Sequence, residues 1–208
     1  MLMFITHPCD RYSIAEEVQM ALEGGCKWIQ LRLKDASDEE FRQTALELIP
    51  MCKEQEAFLV FDDRVELAIE MGVHGVHLGK DDMNPREARE IMGAEAVIGV
   101  TANTADGILP YKNVDVDYVG LGPFRHTTTK AKLAPVLGLE GYREIVKSVR
   151  EAGVRLPIVA IGGITLEDIP ALMETGINGV AVSGAIINAP DPVEYTRQLI
   201  DALNASAK

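Results

Sequence analysis

The chain has 208 residues, of which 47% are hydrophobic and 25% charged, and its formal net charge is −12. These proportions are those of an ordinary soluble globular domain, and they exclude a disordered or membrane-embedded chain. The excess of acidic groups argues against a nucleic-acid partner, because such proteins need a basic surface that releases counterions. Any phosphate site must therefore be a local arrangement of cations in an acidic protein.

The cysteines and the amino terminus indicate the cellular compartment. Cys9, Cys26 and Cys52 are widely spaced, with no CxxC pair and no nearby histidine pair of the kind that binds zinc. We expect reduced thiols in a cytoplasmic protein. The first residues lack the features of a signal peptide, and no run of about 18 apolar residues occurs, so no membrane partner is expected.

Short apolar runs alternate with amphipathic stretches of helix length along the whole chain, as in βα units on a parallel sheet. The helix after the fifth strand has the weakest pattern, because Asp106, Gly107 and Pro110 interrupt it. Eight units exceed the strand number of a usual open doubly wound sheet, so the sequence predicts an α/β protein with a single (β/α)8 barrel domain over residues 1–208. We expect eight helices and eight strands, at residues 2–6, 28–32, 58–61, 75–78, 97–100, 118–122, 158–161 and 179–182.

Three donor-bearing residues, Gln30, Arg32 and Lys34, alternate at the end of the second strand and so share one of its faces. In a barrel, the side chains that follow the strands meet at the mouth. Such polar groups are costly to bury without a partner, and a bound anion would be that partner. Ion pairing with internal carboxylates is the alternative interpretation.

Carboxylates follow the third and fourth strands, as Asp62-Asp63 and Asp81-Asp82. Carboxylates from adjacent loops suit Mg²⁺, which takes one or two protein oxygens and completes its shell with water and substrate phosphates. The alternative is capping of the following helix, a common use of aspartate. We expect one carboxylate from each loop to share Mg²⁺.

The segment GPFRHTTTK, from Gly122 to Lys130, follows the sixth strand and gathers hydroxyls and cations. Threonine hydroxyls and an ammonium group make short, charge-assisted bonds to phosphate, which indicates an anion clamp. A polar surface loop is the alternative. The role of His126 stays open, since a lone histidine in a polar loop is more often solvated than catalytic.

Glycine turns follow the last two strands, as Gly162-Gly163 and Ser183-Gly184. In these barrels the loops after strands 7 and 8, with a helix amino terminus, commonly bind phosphate through backbone N–H groups. Glycine permits the close approach that this requires. A double glycine alone would indicate only a turn, so its position after the seventh strand carries the prediction.

The chain resembles the thiamine-phosphate synthase family across nearly its whole length, in the ordered motifs QLRLK, FDDR, GVHLGKDD, IGVTANT, YVGLGPFRHTTTK, PIVAIGGIT and GVAVSGAI. The resemblance implies a Mg²⁺-dependent (β/α)8 transferase, usually a homodimer. Such an enzyme joins 4-amino-2-methyl-5-hydroxymethylpyrimidine diphosphate to 4-methyl-5-(2-phosphoethyl)thiazole, or to its carboxylated form. The products are thiamine phosphate and pyrophosphate, and we expect a dissociative reaction through a pyrimidine cation.

The resemblance also implies roles for individual residues. Arg32, Lys34 and Lys130 are the expected catalytic residues, because they would stabilise the departing pyrophosphate. Asp63 and Asp82 are the expected metal ligands. The expected substrate-binding residues are Gln30, Arg32, Lys34, Asp62, Thr101 near the pyrimidine, Thr127 and Thr129 around the thiazole phosphate, Lys130 on the diphosphate, and Gly163, Ser183 and Gly184 in the thiazole-phosphate cradle.

The sequence departs from the family pattern in three ways. Asp62 stands where asparagine is usual and Lys80 where glutamine is usual, while Ser183-Gly184 replaces an apolar residue followed by serine. An added anion beside pyrophosphate would repel it unless a cation neutralises the charge, and we expect Lys80 to be that cation. The change at Ser183-Gly184 preserves the backbone donors of the cradle.

Two alternative functions remain at the level of sequence. One is that of the thiazole tautomerase relatives, which move a proton on the same scaffold and generally lack a complete diphosphate and Mg²⁺ set. The presence of Asp63, Asp82 and Lys130 disfavours this alternative. The other is a non-catalytic barrel that binds phosphometabolites, which the departures at Asp62 and Ser183 leave open.

Overall fold

A computed structural model describes residues 1–126 and 135–206. Eight parallel strands form a closed barrel in chain order, and the last strand pairs with the first. Every predicted strand is present with ends that differ by at most two residues, so the predicted (β/α)8 barrel is confirmed. The strands are β1 (Leu2–Ile5), β2 (Trp28–Leu31), β3 (Phe58–Asp62), β4 (Gly75–Leu78), β5 (Val97–Ala102), β6 (Tyr118–Leu121), β7 (Ile158–Ile161) and β8 (Gly179–Val182).

The described residues form nine α-helices, one more than predicted. The additional helix is a single turn, α8 (Gly184–Ile187), directly after β8. The weak helix after β5 is also short, and a 3₁₀ helix at Leu109–Asn113 continues it, with Pro110 near its start. The helices are α1 (Ile14–Glu23), α2 (Asp38–Glu54), α3 (Val65–Met71), α4 (Pro85–Met92), α5 (Ala105–Ile108), α6 (Gly138–Glu151), α7 (Ile169–Glu174), α8 (Gly184–Ile187) and α9 (Pro192–Ser206).

Local sequence signals begin the first two helices. Ser13 and Ser37 each cap a helix and exchange hydrogen bonds with a glutamate three residues later, Glu16 and Glu40. These reciprocal bonds satisfy amide groups that have no partner within the helix. Every helix in the described part of the chain falls short of the length or the apolar character that spanning a bilayer requires.

The interior of the barrel changes from apolar to polar along its axis. A small core inside the barrel contains Met3, Ile5, Tyr118, Val159 and Ala181, separate from the large core between the sheet and the helices. Nearer the carboxyl ends of the strands, the buried side chains are polar, among them Thr6, Gln30, Asp62 and His77. The apolar layer therefore closes the floor of the barrel, and polar groups line its mouth.

Candidate active site

A cavity of about 720 Å³ opens at the carboxyl ends of the strands, within the size range of small-molecule sites. It lies where a (β/α)8 barrel brings its βα loops together. Asp63, a predicted metal ligand, is not among the lining residues and reaches the site through its contact with Lys34. The predicted site residues that line the cavity are Gln30, Arg32, Lys34, Asp62, Asp82, Thr101, Gly163, Ser183 and Gly184, together with His126.

Lys34 joins the loops after β2, β3 and β4. Its Nζ lies 2.5 Å from Asp63 Oδ2, 2.9 Å from Asp62 Oδ2 and 3.9 Å from Asp82 Oδ2. Burial acts to lower the pKa of Lys34, but the charge of Asp62 and hydrogen bonds to Asp62 and Asp63 outweigh it, so this pKa is raised. Lys34 consequently keeps its positive charge throughout the neutral range.

Asp62, one of the residues that depart from the family pattern, contacts residues at the end of β2 and in the loop after it. Gln30 Nε2 donates to its Oδ1 at 2.7 Å, while Arg32 Nε lies 4.0 Å from its Oδ2. Asp62 Oδ2 is buried and lies 2.9 Å from Lys34 Nζ, within ion-pair distance. The expectation that Lys80 supplies the compensating cation is wrong, because Lys80 is exposed and forms no ion pair with any described residue.

Asp63 and Asp82 owe their positions to local backbone structure. Asp63 has a positive φ of 63°, which is uncommon outside glycine, and its N–H donates to His77 O at 3.0 Å. Asp82 Oδ2 accepts from Gly79 N–H at 2.6 Å and so folds its loop back toward the end of β4. Asn84 caps α4, so the alternative reading of Asp82 as a helix cap does not apply.

The donor set of these loops fits Mg²⁺. Within residues 1–126 and 135–206, no group of three or more histidine, cysteine, aspartate or glutamate side chains could hold a metal ion on its own. Mg²⁺ does not need such a group, because it is usually bound through one or two carboxylates plus water and substrate phosphates. Asp63 and Asp82 both approach the ammonium of Lys34, so a cation already lies between their carboxylates.

Glycines shape the opposite side of the cavity, after β7. Gly162 and Gly163 have φ values of 101° and 69°, which residues with a Cβ rarely adopt. Arg125, in the segment predicted to clamp an anion, donates to Gly163 O at 2.6 Å and makes two hydrogen bonds of 2.8 Å to Asp168. This arginine therefore ties the loop after β6 to the loop after β7, and its guanidinium is engaged by protein groups.

Ser183 and Gly184 lie where β8 passes into α8. Ser183 Oγ is buried and has no hydrogen-bond partner among the described residues. Its backbone carbonyl accepts from Ile186 N–H at 3.0 Å, as expected at the start of a helical turn. A buried hydroxyl without a partner is costly, so a ligand group that bonded to Ser183 would remove that cost.

A second polar group inside the barrel, which the sequence did not predict, is formed by His77, Thr101 and Tyr118. His77 Nε2 lies 2.8 Å from Thr101 Oγ1, and its Nδ1 lies 3.0 Å from the Tyr118 hydroxyl. Only Thr101 was predicted as a site residue. The available signal was the alternation in β4, which places His77 on the inward face between two outward apolar residues, Val76 and Leu78.

Three predicted residues, Thr127, Thr129 and Lys130, lie outside the described residues. His126 precedes them and lines the mouth of the cavity with an exposed side chain.

The fold and the site together define a class: (β/α)8 barrels whose mouth carries cations and carboxylates on one side and glycine turns for phosphate on the other.

Comparison with known proteins identifies the family. Residues 2–186 match the family model described as thiamine monophosphate synthase. A thiamine-phosphate synthase of Bacteroides fragilis is 58% identical over 200 residues, covering 96% of this chain and 98% of that protein. One from Flavobacterium johnsoniae is 44% identical over 189 residues, covering 91% and 89%. The solved thiamine phosphate pyrophosphorylase from Pyrococcus furiosus superposes with a TM-score of 0.86 at 33% identity, covering 100% and 96%.

The chain belongs to the thiamine monophosphate synthase family. It is accordingly a transferase of thiamine biosynthesis built on a (β/α)8 barrel.

Proposed function

We propose that this chain joins 4-amino-2-methyl-5-hydroxymethylpyrimidine diphosphate to 4-methyl-5-(2-phosphoethyl)thiazole, or its carboxylated form, and releases thiamine phosphate and pyrophosphate. The observation that carries the proposal is the contact of Lys34 with carboxylates of two adjacent loops, across the cavity mouth from the Gly162-Gly163 turn. The names of the relatives support the same activity and disfavour the tautomerase and non-catalytic alternatives.

The diphosphate would bind on the side of the second strand. Gln30, Arg32 and Lys34 line the cavity together, and two of them are cationic. Guanidinium and ammonium groups make charge-assisted hydrogen bonds to phosphate oxygens, so this face can hold a diphosphate despite the acidic net charge of the chain. Asp62 would remain paired with Lys34 and Arg32, which limits its repulsion of the substrate.

Asp63 and Asp82 would hold Mg²⁺, with the diphosphate supplying further oxygens. The ion would neutralise negative charge on the diphosphate, both when it is bound and when it leaves. The positions of these two carboxylates around the Lys34 ammonium support this assignment, because they already suit a cation.

The thiazole phosphate would bind on the opposite side. Gly163, Ser183 and Gly184 would supply backbone N–H groups, and the unpartnered Ser183 hydroxyl supports a polar ligand here. Thr127 and Thr129 would add hydroxyl donors, and Lys130 would reach the diphosphate from the same loop. The two substrates would then meet in the middle of the cavity.

The reaction would begin as the bond between the pyrimidine methylene carbon and the diphosphate oxygen breaks, with both electrons leaving on the pyrophosphate. Arg32, Lys34 and Lys130 would stabilise the charge that develops on this leaving group. The lone pair of the thiazole nitrogen then forms the new carbon–nitrogen bond to the pyrimidine cation. Because positioning and leaving-group electrostatics lower the barrier, no protein nucleophile is needed.

We further propose that residues 1–208 form a single domain, that the chain acts as a homodimer and that it works in the cytoplasm. The closed strand order and the family resemblance support the first two statements. The reduced cysteines are consistent with the third.

The function is tested with the purified full chain and both substrates, with Mg²⁺ or with excess chelator. We expect equimolar thiamine phosphate and pyrophosphate that depend on Mg²⁺ and on both substrates. Failure to form thiamine phosphate would overturn the proposal, and calorimetry showing tight product binding without turnover would establish the non-catalytic alternative. Electron-withdrawing substituents on the pyrimidine must slow the reaction if a pyrimidine cation forms.

Asp82→Asn tests the proposed role of Asp82 in the same assay. The amide oxygen can still accept from Gly79 N–H, while the negative charge is lost. We expect kcat/KM to fall about a hundredfold or more. Asp81→Asn, at the exposed neighbouring position, is the control and should change little.

A further inference from the structure

His77, Thr101 and Tyr118 come from three consecutive strands, β4, β5 and β6, and meet inside the barrel. The barrel register explains the meeting, because His77 pairs with Gly99, which in turn pairs with Tyr118. Since the residue between them has no side chain, the Tyr118 ring can cross the middle strand and reach the imidazole. A Cβ on Gly99 would lie 2.0 Å from Tyr118 Cζ, so only glycine allows this arrangement.

A second glycine makes room for the imidazole. Gly120 pairs in register with Thr101, and a Cβ on Gly120 would lie 3.1 Å from His77 Cε1. The imidazole therefore lies over Gly120, where its Nε2 reaches Thr101 Oγ1 at 2.8 Å. Two glycines, two register positions apart between β5 and β6, thus allow one continuous hydrogen-bonded path from Tyr118 through His77 to Thr101.

The path runs from the closed interior to the open cavity. Tyr118 is 2% exposed and belongs to the apolar core inside the barrel, where its ring packs edge-on against Trp28 with centroids 4.8 Å apart. His77 and Thr101 both line the cavity. A group fixed in the floor of the barrel is therefore connected through His77 to a hydroxyl that a substrate can touch.

The hydrogen bonds have a preferred direction. Burial, followed by the charges of Asp62 and Asp117, raises the pKa of Tyr118 well above its ordinary value, so its phenol stays protonated. Among the described residues its hydroxyl hydrogen-bonds only with His77, and a buried hydroxyl whose hydrogen had no acceptor would be costly. The phenol therefore donates to His77 Nδ1, which places the imidazole proton on Nε2.

We propose that Tyr118 and His77 are positioning residues that keep the Thr101 hydroxyl turned toward the cavity as a hydrogen-bond donor to the pyrimidine diphosphate. With its proton on Nε2, His77 donates to Thr101 Oγ1, and the hydrogen of Thr101 is free to point at the substrate. The identity of that substrate rests on the proposed function. The direction of the hydrogen bonds along the path from Tyr118 to Thr101 does not rest on it, because that direction is a property of the protein itself.

The direction is tested without substrate, by nitrogen NMR on protein labelled in its four histidines, with His77→Asn to assign the signal. We expect the proton of wild-type His77 on Nε2. A proton on Nδ1 would overturn the proposal, even if the enzyme makes thiamine phosphate. If wild-type protein gives no turnover while His77 carries its proton on Nε2, the proposed function fails, but the inferred direction of the hydrogen bonds stands.

The effect on the reaction is tested by a double-mutant cycle of Tyr118→Phe and Thr101→Val. Tyr118→Phe removes one hydroxyl and should lower kcat about fivefold to tenfold with KM little changed. In the Thr101→Val background the same change should cost less than about twofold, because the hydroxyl through which it acts is gone. If the fold-losses in kcat of the two single variants multiply in the double variant, the proposal is overturned.

Two comparisons separate positioning from a structural role. Tyr142→Phe removes another buried tyrosine hydroxyl, one that donates to Leu121 O, and should lower stability without a comparable loss of kcat. Thr101→Ser retains the hydroxyl and should keep most of the activity that Thr101→Val loses. Equal losses in Tyr142→Phe and Tyr118→Phe would contradict the proposal, and if Tyr118→Phe does not fold, the NMR result and the Thr101 pair decide.

Discussion

Lys34 donates a hydrogen bond of 2.5 Å to Asp63 although 29 positions separate the two residues. The contact fixes an ammonium group at the mouth of the barrel, between carboxylates that belong to different βα loops. A cation held among carboxylates is already positioned for a polyanionic substrate and loses less conformational freedom on binding.

Lys34→Met should therefore abolish most of the activity. The variant removes a cation from the proposed diphosphate site and leaves neighbouring carboxylates to repel the substrate, so we expect kcat/KM to fall about a hundredfold or more. Steady-state kinetics at saturating Mg²⁺ measure the effect. Lys80→Met is the control, since Lys80 is exposed and makes no ion pair with a described residue; comparable losses in both variants would contradict the role of Lys34.

Glu17 should make the stability of the protein depend on pH. Its side chain is 1% exposed, and burial raises its pKa to about 7, against hydrogen bonds from His7 N–H and Cys9 Sγ that lower it. Between its ordinary value of 4.5 and about 7, the folded protein holds more protons than the unfolded chain. Stability therefore falls as pH rises through this window, by roughly 3 kcal/mol at most.

Glu17→Gln removes this titration. Urea unfolding should show the variant gaining stability relative to wild type on going from about pH 5 to about pH 8. Glu16→Gln is the control, because hydrogen bonds from the Ser13 backbone and side chain lower the pKa of Glu16. Its contribution is lost only at more acidic pH, so a similar pH dependence in both variants would show that Glu17 is not the source.

Arg125→Met should weaken binding of the thiazole phosphate. The substitution breaks the paired hydrogen bonds to Asp168 and the bond to Gly163 O that join two loops of the site. We expect KM for this substrate to rise about fivefold with a smaller change in kcat, and little loss of stability since the ion pair is partly exposed. Arg143→Met is matched in side-chain exposure, 49% in both, but among the residues that the structure describes Arg143 forms an ion pair only within α6. An unchanged KM in Arg125→Met would exclude this coupling.

Gly163→Ala should damage the phosphate cradle. The added Cβ would strain a backbone with φ of 69° and lie 3.0 Å from Arg125 Cβ, so we expect a loss of about 1 kcal/mol in stability together with a higher KM for the thiazole phosphate. Gly72→Ala has nearly the same φ, 63°, with open space around the added atom and no contact with the cavity. Gly72→Ala should lower stability without changing KM for the thiazole phosphate. If KM rises equally in Gly72→Ala and Gly163→Ala, the effect of Gly163→Ala does not come from the phosphate cradle.

Much of the architecture could be predicted from the sequence because strand signals are local. Each strand is a short apolar run, and its inward and outward residues alternate with a period of two. The same alternation placed Gln30, Arg32 and Lys34 on one face, and all three line the cavity. The position of Gly163 after the seventh strand was likewise readable, and its left-handed backbone favours a residue without Cβ.

The sequence alone determined the number and order of the strands and the loops that carry polar residues. Only the tertiary structure decided that Lys34 rather than Lys80 neutralises Asp62, that Arg125 binds Asp168, and that His77 connects Tyr118 to Thr101. The reason is physical: periodicity states which way a side chain points, whereas its partner depends on the register of neighbouring strands and on the space that residues such as Gly99 and Gly120 leave open.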